Sequence, residues 1–121
     1  MAIRVLVVDE VSSERELLKN ILRLQGFHIA GEAEDGRRAV DAFRSMRPDL
    51  VLLDLVLPRM SGIDAARAIL TESPKARIIA VCGLAHPSVQ TEAMRAGIRG
   101  FVAKPLKIEM LLPEIDDALT V

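Results

Sequence analysis

The sequence has no tryptophan, no tyrosine and only three phenylalanines. With a formal net charge of -1 it also lacks a basic excess. Single strands want aromatic platforms and duplexes want a positive face, which argues against a stand-alone nucleic-acid binder. Cys82 is the single cysteine and has no partner for an internal disulfide. With no signal-peptide pattern at the N-terminus, this points to a reducing, cytoplasmic setting. The apolar runs at 5–8 and 50–53 are bounded by charges. They fall far short of the ~20 residues a membrane span needs, and no membrane partner is expected. What is present is 121 residues, 50% hydrophobic and 27% charged. That suffices for one domain over 1–121 with its own core, leaving a protein partner or a small ligand as the object of its function.

Short β-branched or leucine-rich runs at 3–8, 27–33, 50–53, 78–81 and 100–103 read as five strands. Amphipathic stretches lie between and after them. Leu17, Leu18, Ile21 and Leu22 share one helical face, as do Ala39, Val40 and Phe43, then Ala65, Ala66, Ile69 and Leu70, then Val89, Ala93 and Met94. A fifth helix would carry Ile108, Leu111, Leu112, Ile115 and Leu119, with Pro113 predicting a kink or a late start. Ser13 and Glu16 form a capping-box pattern for the first helix, and Gly26 sits where it would end. Gly36, Gly62 and Gly97 mark further helix edges, and the methionines read as core filler. Five strand–helix units with nearly continuous apolar strands imply an α/β domain, a doubly wound parallel sheet covered by helices on both faces. In such a sheet, chemistry collects at the carboxyl ends of the strands.

Those ends carry acids and a lysine. The first strand runs into Asp9-Glu10, the third into Asp54 and the fifth into Lys104-Pro105. No glycine-rich phosphate loop follows any strand. If the first and third strands are neighbours, three carboxylates crowd together and repel. Mg2+, a hard cation with a preference for carboxylate, water and phosphoryl oxygens, would relieve them. Asp54 is then a candidate nucleophile, and Lys104 supplies the positive charge an added phosphoryl group needs. Asp9-Glu10 taken alone would as readily cap a helix, but Asp54 and Lys104 in register shift the weight to a site.

The order and spacing of three segments now carry a resemblance. They are Val7-Val8-Asp9-Glu10, then the run from Pro48-Asp49 through Asp54 to Pro58-Arg59-Met60-Ser61-Gly62, and Ala93-Met94-Arg95-Ala96-Gly97 leading to Phe101-Val102-Ala103-Lys104-Pro105. Together they resemble the receiver domain of two-component response regulators over nearly the whole chain, and within that family the single-domain chemotaxis-type regulators. The resemblance implies a flavodoxin-like sheet of order 2-1-3-4-5. It implies that Asp54 accepts a phosphoryl group from a histidine kinase or phosphotransfer protein. Asp9 and Glu10, with Asp54 and the Val56 carbonyl, would hold Mg2+, Lys104 would pair with the phosphoryl group, and the peptide before Pro105 would be cis.

Two positions depart from the family pattern. Glu10 stands where Asp is usual, one methylene longer, which shifts the metal. Cys82 stands where a Ser or Thr hydroxyl would bind the phosphoryl group, and a thiol is a poor donor. Phe101 occupies the place of the rotating switch aromatic, commonly Tyr. Phosphorylation is therefore expected to survive better than switching. Val56 and Leu84 flank the site with apolar side chains, so self-dephosphorylation should be slow. The alternative is a phosphorylation-independent docking module, its switch relaxed by Glu10 and Cys82. A flavin site is disfavoured by the acids in the first loop, and a phosphomonoester hydrolase by Val56 where a second acid is needed. His28 and His86 lack partners at metal spacing and read as surface or loop residues. The resemblance places the kinase against the first helix, around Ser13, Arg15, Leu17 and Leu18. A downstream protein target or output domain would meet Val89, Met94, Arg95, Arg99 and Lys107.

Overall fold

The computed structural model describes residues 2–83 and 86–120. Five strands alternate with five helices: β1 Arg4–Val8, α1 Ser12–Leu24, β2 His28–Ala33, α2 Gly36–Met46, β3 Leu50–Asp54, α3 Gly62–Glu72, β4 Ile78–Cys82, α4 Pro87–Arg95, β5 Gly100–Ala103 and α5 Ile108–Thr120. All four strand pairings are parallel, in the order β2-β1-β3-β4-β5. Both the element order and the sheet order are those expected from the sequence.

Strand side chains alternate between faces, so each central strand feeds two cores. Leu6, Val8, Val51, Leu53, Ile78 and Ala80 pack with Ala39, Val40 and Phe43 of α2, Ala65, Ala66 and Ile69 of α3, and Ala93 of α4. Val5, Val7, Leu50, Leu52, Ile79 and Val81 pack on the other side with Leu18 and Leu22 of α1 and Leu111, Ile115 and Ala118 of α5. Strands buried on both faces have no polar alternation to show, which is why β3 and β4 are apolar along most of their length. Arg15 and Lys19 of α1 both reach Glu32 on β2, fastening the helix to the edge of the sheet. Their hydrogen bonds, that of Lys19 foremost, hold the Glu32 carboxyl below the usual range.

Several local expectations are corrected. Helix α1 begins at Ser12 with Val11 as its N-cap, so Ser13 and Glu16 form no capping box. Asp9 turns the chain instead, its Oδ1 accepting the Val11 N–H at 2.8 Å, while Glu16 pairs with Lys19. Pro113 lies inside α5, which nonetheless starts at Ile108. Packing of Leu111 and Ile115 on the sheet outweighs the one hydrogen bond that proline removes. Met94 and Met110 are exposed rather than core filler. His86 is an exposed loop residue as expected, and it also caps α4, its Nδ1 accepting the Ser88 N–H at 3.1 Å.

Gly62 has little room to vary. A Cβ there would stand 2.3 Å from the Asp54 carbonyl oxygen and 2.6 Å from the Leu55 Cα. Both are backbone atoms and cannot swing aside. Gly62→Ala is expected to destabilise the domain by about 2 kcal/mol, within the range of buried steric defects. Urea unfolding followed by circular dichroism checks this.

Candidate functional site

The register of the sheet assembles the site. Val8 pairs with Leu53, so the residues that follow, Asp9 and Asp54, leave adjacent strands at the same level. Cys82 pairs with Ala103, and the Lys104 N–H donates to the Cys82 carbonyl at 2.8 Å, which starts the lysine's return toward β1 and β3. The Lys104-Pro105 peptide is cis.

The Lys104 ammonium stands at the centre of this end of the sheet. Its Nζ donates to Asp9 Oδ2 at 2.9 Å, to Glu14 Oε2 at 2.8 Å and to Asp54 Oδ2 at 3.0 Å. Asp9 and Asp54 are buried, whereas the Glu14 side chain is 47% exposed. The second oxygens of the two aspartates are also held. Val11 N–H binds Asp9 Oδ1, and Val56 N–H binds Asp54 Oδ1 at 3.0 Å. Burial works to lower the pKa of Lys104, but the hydrogen bonds it donates to Glu14, Asp9 and Asp54 prevail and hold it above the ordinary lysine value. The ammonium is therefore charged throughout the neutral range.

Asp9, Asp54 and Lys104 thus meet as expected from the strand ends. Glu10 does not join them. It is exposed, and its backbone carbonyl accepts a hydrogen bond from Arg15 Nη1 at 3.2 Å, beside the 2.6 Å bond from the same nitrogen to the Asp9 carbonyl. The acid in the cluster is Glu14, one turn into α1. Carboxylate oxygens of Asp9, Glu14 and Asp54 all lie within 4.8 Å of one another. Glu14 was visible in the sequence only as an acid in the first turn of a helix. That position is so often occupied for the helix dipole that it draws no attention. The donor set consists of hard carboxylate oxygens and fits Mg2+ in kind.

Val56 is 72% exposed, and the contact it makes to Asp54 is through its N–H. Leu84 lies outside the described residues. Cys82 is buried in the core at the end of β4. Burial, and then the negative charge of Asp54, push its thiol above the usual value. Phe101 is half-buried and packs against the core formed with α2, α3 and α4. Leu18 belongs to the core between α1 and the sheet and Arg15 is turned into its contacts with Glu32 and the Asp9 carbonyl. Of the apolar residues expected on the outer face of α1, Leu17 is the one exposed.

A cleft of about 170 Å³ opens beside the cluster, lined by Asp9, Glu14, Leu17, Val81, Lys104 and Pro105 among others. No described helix is long and apolar enough to cross a membrane.

Comparison with known proteins identifies the family. Residues 5–116 match the family model of the response regulator receiver domain. The chain is 38% identical over 107 residues to the chemotaxis protein CheY of Thermotoga maritima, covering 88% of this chain and 89% of that one. It is 36% identical to the CheY of Bacillus subtilis over 119 residues, 98% of this chain and 99% of that one. Among solved structures, a two-component response regulator of the LuxR family from Aurantimonas sp. SI85-9A1 superposes with a TM-score of 0.93 at 29% identity, over 99% of this chain and 86% of that one. The CheX–CheY complex with BeF3 and Mg2+ from Borrelia burgdorferi gives 0.90 at 29% identity, over 93% of this chain and 86% of the matched one. With two strand-end aspartates and a lysine gathered at the carboxyl edge of a 2-1-3-4-5 sheet, the chain belongs to the response regulator receiver domain family.

Proposed function

We propose that Asp54 is the phosphoacceptor, charged by a histidine kinase or a phosphotransfer protein, and that its phosphorylation alters a surface read by a downstream protein. The observation that carries this is the Asp54 carboxylate, buried at the end of β3 and bonded through Oδ2 to Lys104 Nζ at 3.0 Å. An Asp54 oxygen attacks phosphorus as the bond from phosphorus to the donor's imidazole nitrogen breaks, and the electron pair leaves with that nitrogen. The Val56 N–H fixes the orientation of the nucleophilic carboxylate. Lys104 offers a full positive charge to the incoming phosphoryl oxygens, which gather negative charge in transfer.

Asp9 and Asp54 would hold Mg2+, with Glu10 and the Val56 carbonyl as the further donors the family resemblance nominates. When bound, the ion offsets the charge of the carboxylates and of the phosphoryl oxygens. The presence of Mg2+ with BeF3 in the solved CheX–CheY complex supports the choice of ion. The domain acts as a signalling acceptor rather than a turnover enzyme, in a cytoplasmic setting that suits its single free thiol.

The switch is weakened in this reading. Cys82 presents a weak donor where a hydroxyl would engage the phosphoryl group, and Phe101 has no hydroxyl to exchange. The apolar, exposed Val56 cannot orient water, so the phosphorylated form decays slowly. Exposed Leu17 beside the cleft is available to the kinase, and exposed Met94 and Met110 of α4 and α5 to a downstream partner.

Incubation with acetyl phosphate and Mg2+ is expected to add one phosphoryl group by intact-mass spectrometry. Omission of Mg2+ or the substitution Asp54→Ala should abolish the gain. Absence of any gain in the unaltered protein would leave a phosphorylation-independent docking module as the account. The Cys82 thiol, buried and held protonated, is expected to react with a thiol-directed disulfide reagent at least about tenfold more slowly than free cysteine at mildly alkaline pH. Unfolding in denaturant should restore the full rate.

A further inference from the structure

Lys104 has three N–H donors, and three carboxylates take them. A phosphoryl oxygen arriving on Asp54 can gain a bond from the ammonium only if one of these partners gives way. Asp9 is ill suited to do so, since its side chain is 7% exposed and its other oxygen is bonded to the Val11 N–H. Asp54 carries the group itself. Glu14 is the partner with access to water, 47% exposed at 2.8 Å from Nζ. It is also kept in place, because the next residue, Arg15, is anchored to the Asp9 and Glu10 carbonyls and to Glu32. The same carboxylate has an oxygen within 4.8 Å of one on Asp54, adding a negative charge close to where an incoming anion would be attached.

We propose that Glu14 is a positioning residue that tethers Lys104 in the unphosphorylated protein and restrains phosphoryl transfer to Asp54 until it is displaced. This rests on Asp54 being the phosphoacceptor. Glu14 acts through the lysine: while tethered, the ammonium is shared and drawn toward α1; once released, it can turn fully to the phosphoryl oxygens. Because the tether is an exposed ion pair, its strength falls as salt rises.

Two measurements on Glu14→Gln test it, with a circular dichroism melt to verify folding. In the first, metal-free protein is acetylated with an activated acetyl ester and mapped by peptide mass spectrometry. Labelling of Lys104, normalised to Lys75 and Lys107, should rise in the variant, because the lost carboxylate no longer holds the ammonium. In the second, phosphorylation by acetyl phosphate at saturating Mg2+ is timed by intact mass. Glu14→Gln should react about two- to fivefold faster than the unaltered protein at low salt, the range an exposed ion pair allows, and the two rates should converge at high salt. Unchanged Lys104 labelling overturns the tether. Increased labelling with an equal or slower phosphorylation rate overturns the restraint while leaving Asp54 as acceptor. If the unaltered protein gains no phosphoryl group under any of these conditions, both the acceptor reading and the restraint fall together.

Discussion

Asp9, Glu14 and Asp54 can be neighbours because the Lys104 ammonium stands between them. Two carboxylate charges about 5 Å apart repel by roughly 3 kcal/mol at an effective dielectric of about 20. Three of them at the end of a sheet would drive their helix and strands apart or take up protons. A single cation bonded to all three converts that repulsion into attraction and joins α1, β1, β3 and the segment after β5 at one point. The arrangement is stable and at the same time poised, since any new anion on Asp54 must renegotiate the partners of one ammonium.

Backbone architecture makes this meeting possible. Lys104 is 95 residues from Asp9 and 50 from Asp54 in the chain, and the parallel sheet brings all three to one edge. Every strand runs in the same direction, so every carboxyl end opens on the same side, with β1 and β3 side by side at the centre. The two cores beneath are ordinary apolar packing, and they free the loops above from any duty but function. Gly62 shows how closely the two are joined, for its missing side chain makes room for the Asp54 backbone itself.

The receiver family explains the general use of such a site, and this chain's own residues qualify it. β4 ends in a thiol and β5 carries a phenylalanine, so neither residue presents a hydroxyl at this end of the sheet. On the solvent side, Glu14 adds a charge that competes for the lysine. Changes of both kinds leave the meeting of Asp9, Asp54 and Lys104 in place and alter what surrounds it, which is where members of one fold acquire different behaviour.

The strands, the helices and the placing of Asp54, Asp9 and Lys104 at the strand ends were legible in the sequence, because period and position relative to strand ends are local properties of the chain. The order 2-1-3-4-5 followed from the family resemblance rather than from periodicity, which says nothing about which strands touch. Local rules failed where a longer-range contact outbid them. Ser13 and Glu16 matched a capping pattern, but the Asp9 carboxylate had already set the turn into α1. Pro113 allowed a late start to α5, yet the helix begins at Ile108, where the packing of Leu111 and Ile115 carries it through. What only the tertiary structure decided is which acid faces the lysine. Glu10 is next to Asp9 in sequence yet points to solvent, and Glu14 is an unremarked first-turn glutamate until α1 is laid across the sheet. One helical turn carries the chain back over the strand ends, and proximity in space, not in sequence, determines which charges pair.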